Sequence, residues 1–75
     1  MENIAKAIGQ RIIDLRKAHN NISQEALAYK AEVDRTYMTG IERGRRNVSV
    51  NILNKIVIAL DTDLTSFFNH ELFKG

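Results

Sequence analysis

The sequence predicts an all-α fold, a compact bundle of five helices, on three observations. Apolar residues recur at three- and four-residue intervals in several separate segments. Ser23, Asp34, Ser49 and Asp63 each stand where a helix would begin, and Asn or Gly stands where helices would end. No segment shows the period-two alternation of a half-buried strand, and the 75 residues contain no proline.

The first helix is expected from about Asn3 to His19. Ile4, Ile8, Ile12 and Leu15 form one stripe, with Lys6, Gln10, Asp14 and Lys17 away from it. Asn20 and Asn21 end it, because Asn tolerates the left-handed conformation that closes a helix. Ser23 caps a second helix from Gln24 to about Ala31, in which Ala26, Leu27, Ala28 and Ala31 supply a small-residue face for a close helix crossing. Glu32 and Val33 make a very short turn. Asp34 then caps a third helix, Arg35 to about Arg43, with Met38 and Ile41 inward and Arg35, Thr36 and Thr39 outward. Gly44 stops it. After a polar loop from Arg45 to Val48, Ser49 caps a fourth helix whose stripe is Val50, Leu53, Ile56, Val57 and Leu60. Asp63 caps a final short helix carrying Leu64, Phe67 and Phe68.

Composition bounds the function. A chain of this length makes one domain, residues 1–75, and buries only about 60% of the surface that its unfolded form exposes, so a second copy would add useful stability. The 44% hydrophobic and 27% charged content is that of a globular protein. Without cysteine there are no disulfides and no thiolate metal sites, and no segment has the apolar length of a signal sequence or membrane span; a cytoplasmic location is expected. His19 and His70 are isolated, with no carboxylate arrangement, nucleophile or phosphate-cradling glycine loop around them, so neither an enzyme nor a cofactor or metal site is expected. The net charge is only +2, yet residues 1–47 carry nine Lys and Arg against six Asp and Glu, and residues 48–75 carry two against three. Arg35, Arg43, Arg45 and Arg46 fall within twelve residues against Glu42 alone, a patch suited to phosphate or, equally, to solvent.

A small-residue helix, a tight turn and a second capped helix make a helix-turn-helix unit at about residues 23–43, whose second helix fits the major groove. The residues go further. From Ile8 through Phe68, about four fifths of the chain, the sequence resembles the Cro/repressor or XRE-like helix-turn-helix domains of the lambda-repressor fold. Its most specific pieces are SQEALA at 23–28 and DRTYMTGIERGRRN at 34–47, the latter similar to the controller proteins of restriction-modification systems. The resemblance implies a dimeric transcriptional regulator, bacterial or phage-encoded, that binds double-stranded DNA at inverted-repeat operators. RNA polymerase would be a further partner if the regulator activates.

The resemblance also implies residue roles. Arg35, Thr36 and Thr39 occupy positions like those that read bases, and an Arg holding guanine O6 and N7 is worth about 1–3 kcal/mol of discrimination. Ser23 and Gln24 at the start of the second helix, Tyr37, and Arg43, Arg45, Arg46 and Asn47 would hold the phosphate backbone. Glu42 is expected to pair with a neighbouring arginine such as Arg46. Glu32 and Asp61 stand where the family commonly has glycine, at a cost of about 1 kcal/mol for a left-handed residue. Ile58 lies off the fourth helix's apolar stripe. With Phe67, Phe68, Leu72 and Phe73 it suggests a subunit interface within residues 56–75, one of the two adjacent phenylalanines lying inside and the other outside. The competing class is an antitoxin-like or phage-repressor-like protein whose main partner is another protein; non-specific architectural DNA binding would favour Lys-rich contacts without a capped recognition helix.

Overall fold

The computed structural model describes residues 3–74; Met1, Glu2 and Gly75 lie outside the described residues. Five α-helices follow in order: α1 (Ile4–Ala18), α2 (Gln24–Ala31), α3 (Arg35–Glu42), α4 (Val50–Ala59) and α5 (Leu64–Phe68), closed by a 3-10 turn over Glu71–Phe73. Among the described residues there is no strand.

Each start is set by a side-chain cap. Asn3, Ser23, Asp34, Ser49 and Asp63 each accept a hydrogen bond from the backbone N–H three residues on, satisfying one of the amides that a helix start leaves free. The stops share a pattern as well. At the ends of α2, α3 and α4 the residues Glu32 (φ 58°), Gly44 (φ 72°) and Asp61 (φ 56°) are left-handed. In each case paired backbone bonds close the helix, Val33 N to Ala28 O, Arg45 N to Gly40 O and Thr62 N to Val57 O among them. The strain expected at Glu32 and Asp61 is therefore present, and Asn20 and Asn21 are left-handed after α1 as their chemistry allows.

Only one of the three closures has glycine. Asp61 also meets His19 at 3.3 Å, whereas Glu32 is in no ion pair among the described residues. Glu32→Gly is therefore expected to stabilise the fold by about 0.5–1 kcal/mol, the left-handed penalty less the added freedom of the unfolded chain. Differential scanning calorimetry should record a midpoint rise of several degrees, roughly 4–8 °C per kcal/mol for a domain of this size; an unchanged or lower midpoint counts against the strain.

The core gathers Ile8 and Ile12 from α1, Leu27, Ala28 and Ala31 from α2, Met38 and Ile41 from α3, and Leu53, Ile56 and Val57 from α4. α3 packs between α1 and α2, and α4 lies against α2 and α5. Three expected core members lie outside. Ile4, Ala26 and Val50 occupy the first turns of α1, α2 and α4, which overhang the core, and all three are exposed.

At the C-terminal end Phe67 is fully buried, Phe68 is 38% exposed, and their rings meet edge to face at 5.0 Å. This corrects Phe67 as an interface residue: its ring closes the core and has no surface to give a partner. Phe73, on the 3-10 turn, packs on both rings at 5.8 and 4.8 Å. Arg11 ties α1 to this end, its Nε donating to Phe67 O at 2.8 Å and its Nη2 to Ser66 O at 3.0 Å, carbonyls that the end of α5 leaves free. Ile58 is 61% exposed and Leu72 half-buried.

Candidate nucleic-acid interface

α2 and α3 are locked by small side chains and by the Glu32–Val33 turn, so α3 presents its outer face as a fixed surface. Arg35 and Thr36 are exposed on that face. Thr36, Thr39, Gly40, Arg43, Arg45 and Arg46 line one shallow groove. Ser23, Gln24 and Arg35 line another with Glu25, Ala26 and Tyr29. Tyr37 and Asn47 are joined, the phenol donating to the Asn47 carbonyl at 3.3 Å. Eight of the ten residues that the sequence nominates for DNA thus line these two grooves of the α2–α3 unit, and the other two, Tyr37 and Asn47, are bonded to each other.

Beneath this surface runs a polar network that crosses three helices. Glu42 is buried at the end of α3, and Arg16 of α1 grips its carboxylate with two bonds, Nε to Oε2 at 2.8 Å and Nη2 to Oε1 at 2.9 Å. Arg16 Nη1 also donates to Ile22 O at 3.0 Å, holding the loop before α2. Gln24 Nε2 donates to Glu42 Oε1 at 3.1 Å, and the Thr39 hydroxyl lies 2.8 Å from Gln24 Oε1 and 3.0 Å from Arg35 O, donating to one of them. No buried side-chain polar atom among the described residues lacks a partner.

Three sequence expectations change here. Glu42 does not pair with Arg46; it turns inward to Arg16, 26 residues away, because positions 38, 41 and 42 share the buried side of α3. Thr39 is half-buried with its hydroxyl engaged, not a fully outward residue. Gln24 has one amide N–H committed to Glu42, and its carbonyl lies within reach of the Thr39 hydroxyl, which leaves its other N–H for a ligand.

The inward turn of Glu42 also alters the charge of the surface. Among the described residues Arg43, Arg45 and Arg46 pair with no carboxylate. Arg35 Nη1 meets Glu25 Oε2 at 2.9 Å, both side chains well exposed, and such a pair contributes only about 0–1 kcal/mol and exchanges readily for another acceptor. The Arg46 guanidinium lies 5.6 Å from the centre of the Tyr37 ring. Ser23 accepts from Ala26 N at 3.0 Å, which leaves its O–H free to donate. The surface is therefore rich in donors and positive charge, which suits phosphate oxygens and the acceptor edge of guanine. Among the described residues no cluster of His, Cys, Asp or Glu could hold a metal ion, and no helix is long and apolar enough to cross a membrane.

Comparison with known proteins agrees with this geometry. A family model described as helix-turn-helix matches residues 12–67. Control protein C.BamHI of Bacillus amyloliquefaciens is 45% identical over 58 residues, spanning 77% of this chain and 72% of that protein. Control protein C.MunI of Mycoplasma sp is 39% identical over 69 residues, 92% of this chain and 93% of that one. Among solved structures, the restriction-modification controller protein C.Esp1396I superposes with a TM-score of 0.85 at 34% identity, covering 99% of this chain and 95% of that chain.

Proposed function

Because this chain belongs to the helix-turn-helix family and its homologues there include restriction-modification controller proteins, we propose that it is the controller of such a system, a homodimer that regulates transcription from inverted-repeat operators. The DNA-binding transcriptional regulator is the family's activity; the dimer, the operator symmetry and the residue roles are our reading. What carries it is the α3 surface, where an exposed arginine and threonine lead into three arginines that pair with no carboxylate among the described residues. The reading includes no catalytic step. A bacterial or phage-encoded, cytoplasmic, nucleoid-associated protein is its natural setting, and RNA polymerase is the further partner if the regulator activates.

In this reading Arg35 leaves Glu25 for guanine, Thr36 meets a neighbouring base, and Thr39, its hydroxyl engaged within the protein, offers its methyl to thymine. Ser23, Gln24, Tyr37, Arg43, Arg45, Arg46 and Asn47 hold phosphates and set register. Ile58, Phe68 and Leu72, within residues 56–75, cover one another's apolar surface between two copies. A two-fold dimer then presents two copies of α3 to major grooves about 34 Å apart.

Selection of binding sites from a random duplex library at near-physiological salt tests the proposal. An inverted repeat with half-sites about one helical turn apart, bound at least about a thousandfold tighter than scrambled DNA, is the expected result. No enrichment would leave the fold intact and overturn the operator-reading function in favour of a protein partner. On the selected site, Arg35→Ala should cost about 1–3 kcal/mol and relax the preference at one position of each half-site. Arg46→Ala should weaken selected and scrambled DNA alike and reduce the salt slope by about 0.9 for each phosphate that the guanidinium neutralises. Equal losses on both duplexes for Arg35→Ala would remove its base-reading role.

A further inference from the structure

Glycine is a poor choice within an eight-residue helix, even in its last turn, because it gives up more backbone freedom on folding than any other residue and supplies no packing. Gly40 sits in α3 nonetheless. Its φ is not among the positive ones, so helical geometry alone would accept alanine there. What alanine would meet is Arg46. A Cβ on Gly40 would fall 2.6 Å from Arg46 Cγ, and 3.6 Å from both its Cβ and its Cδ; these are the three nearest heavy atoms. The bare backbone of α3 is thus a seat for the Arg46 stem.

Neighbouring bonds fix the two ends of that seat. Gly40 O accepts from Arg45 N at 2.9 Å, so the same residue anchors the chain one step before Arg46. Tyr37, one turn earlier on α3, lies under the guanidinium at 5.6 Å, and its hydroxyl donates to the Asn47 carbonyl one step after. Arg46 is therefore held from both neighbours and along its stem. It lines a single groove with Thr36, Thr39, Arg43 and Arg45.

We infer that Gly40 is a positioning residue for DNA binding, its missing side chain holding the Arg46 stem against α3 so that the guanidinium is aimed at the duplex before DNA arrives. This rests on the proposed role of Arg46 at phosphate. An exposed arginine has many rotamers, and one already seated loses less freedom when it meets an anion. Arg46 Cγ is one bond from Cβ, not the free end of the chain, so it cannot avoid an added methyl without lifting the guanidinium off Tyr37.

The test is a double-mutant cycle on the full chain with Gly40→Ala, Arg46→Ala and the pair, titrated by fluorescence anisotropy against the selected duplex and a scrambled duplex across a salt series. Gly40→Ala should lose about tenfold in affinity on both duplexes at low salt and flatten the salt slope by up to about 0.9, as Arg46→Ala does. The double variant should be no weaker than Arg46→Ala, because the glycine acts through that side chain. Wild-type affinity for Gly40→Ala beside a weakened Arg46→Ala overturns the inference and leaves the DNA role of Arg46 standing, as do additive losses in the double variant. Wild-type affinity for Arg46→Ala overturns both. Thermal melts separate folding from binding: if Gly40→Ala melts early, removing Arg46 in the double variant should restore the midpoint, and failure to restore it overturns the seat.

Discussion

Glu42→Ala is expected to lower the free energy of unfolding by about 3–5 kcal/mol, because it leaves the Arg16 guanidinium without the carboxylate that it grips in a largely buried site. A domain of this size has only roughly 4–11 kcal/mol to lose at about 0.05–0.15 kcal/mol per residue. The loss is a large share of that total, and toward its lower end part of the population would be unfolded at 37 °C. Arg16→Ala should be comparably severe, since it strands the Glu42 carboxylate with Gln24 alone. The cost of breaking the pair is not the worth of having it. Replacing both partners, Arg16→Met with Glu42→Leu, removes two desolvation penalties together and should fall within about 1–2 kcal/mol of the parent. Urea unfolding with an unchanged m-value separates these outcomes. A loss below about 1 kcal/mol for Glu42→Ala would mean that the network carries little of the fold. The double variant has a second use: if it is stable but reads DNA poorly, the network's contribution is to hold Gln24 and Thr39 in place.

The helices were legible because their information is local. Ser23, Asp34, Ser49 and Asp63 act within three residues, and the stripes through Ile8 and Ile12, Met38 and Ile41, and Leu53 to Leu60 repeat at helical spacing. Local pattern misleads where a residue's fate depends on what faces it. Glu42 has three arginines within four positions, so a local reading hands it to one of them. Its spacing from Met38 already placed it on the buried side. Ile4 and Val50 obey their stripes but stand at first turns, where they remain exposed among the described residues. Phe67 and Phe68 are chemically identical, and only the three-residue step from Leu64 favours Phe67 for the inside. Arg11 carried no local sign, because its acceptors are backbone carbonyls 55 and 56 residues away. The grouping of the candidate surface was legible, because residues close along α3 and its loop stay close in space. The division between outward groups and inward braces, which moves Gln24 and Thr39 into the network, depends on α1 and was not.

Gly9→Ala is expected to cost about 3 kcal/mol, although alanine is the better helix former by about 1 kcal/mol and the site lies within α1. The added Cβ would stand 2.5 Å from the carbonyl oxygens of both Ile41 and Glu42 and 2.8 Å from the Glu42 carbonyl carbon. All three atoms belong to the backbone of α3, so no side chain can rotate away, and relief requires the two helices to separate. Separation would loosen Ile8 and Ile12 against the shared core and draw Arg16, two turns along α1, away from Glu42. Overpacking in a core at near-crystalline density is therefore joined here by loss of the polar network. Calorimetry should show a midpoint lower by roughly 12–24 °C, from about 4–8 °C per kcal/mol in a domain of this size. DNA affinity measured well below that midpoint should fall as well, because α3 is displaced from the helix that braces it. The opposite result, a midpoint equal to or above the parent's, is what helix propensity alone predicts. It would show that α1 and α3 yield without penalty, and that the orientation of the recognition surface is set by α2 and its turn.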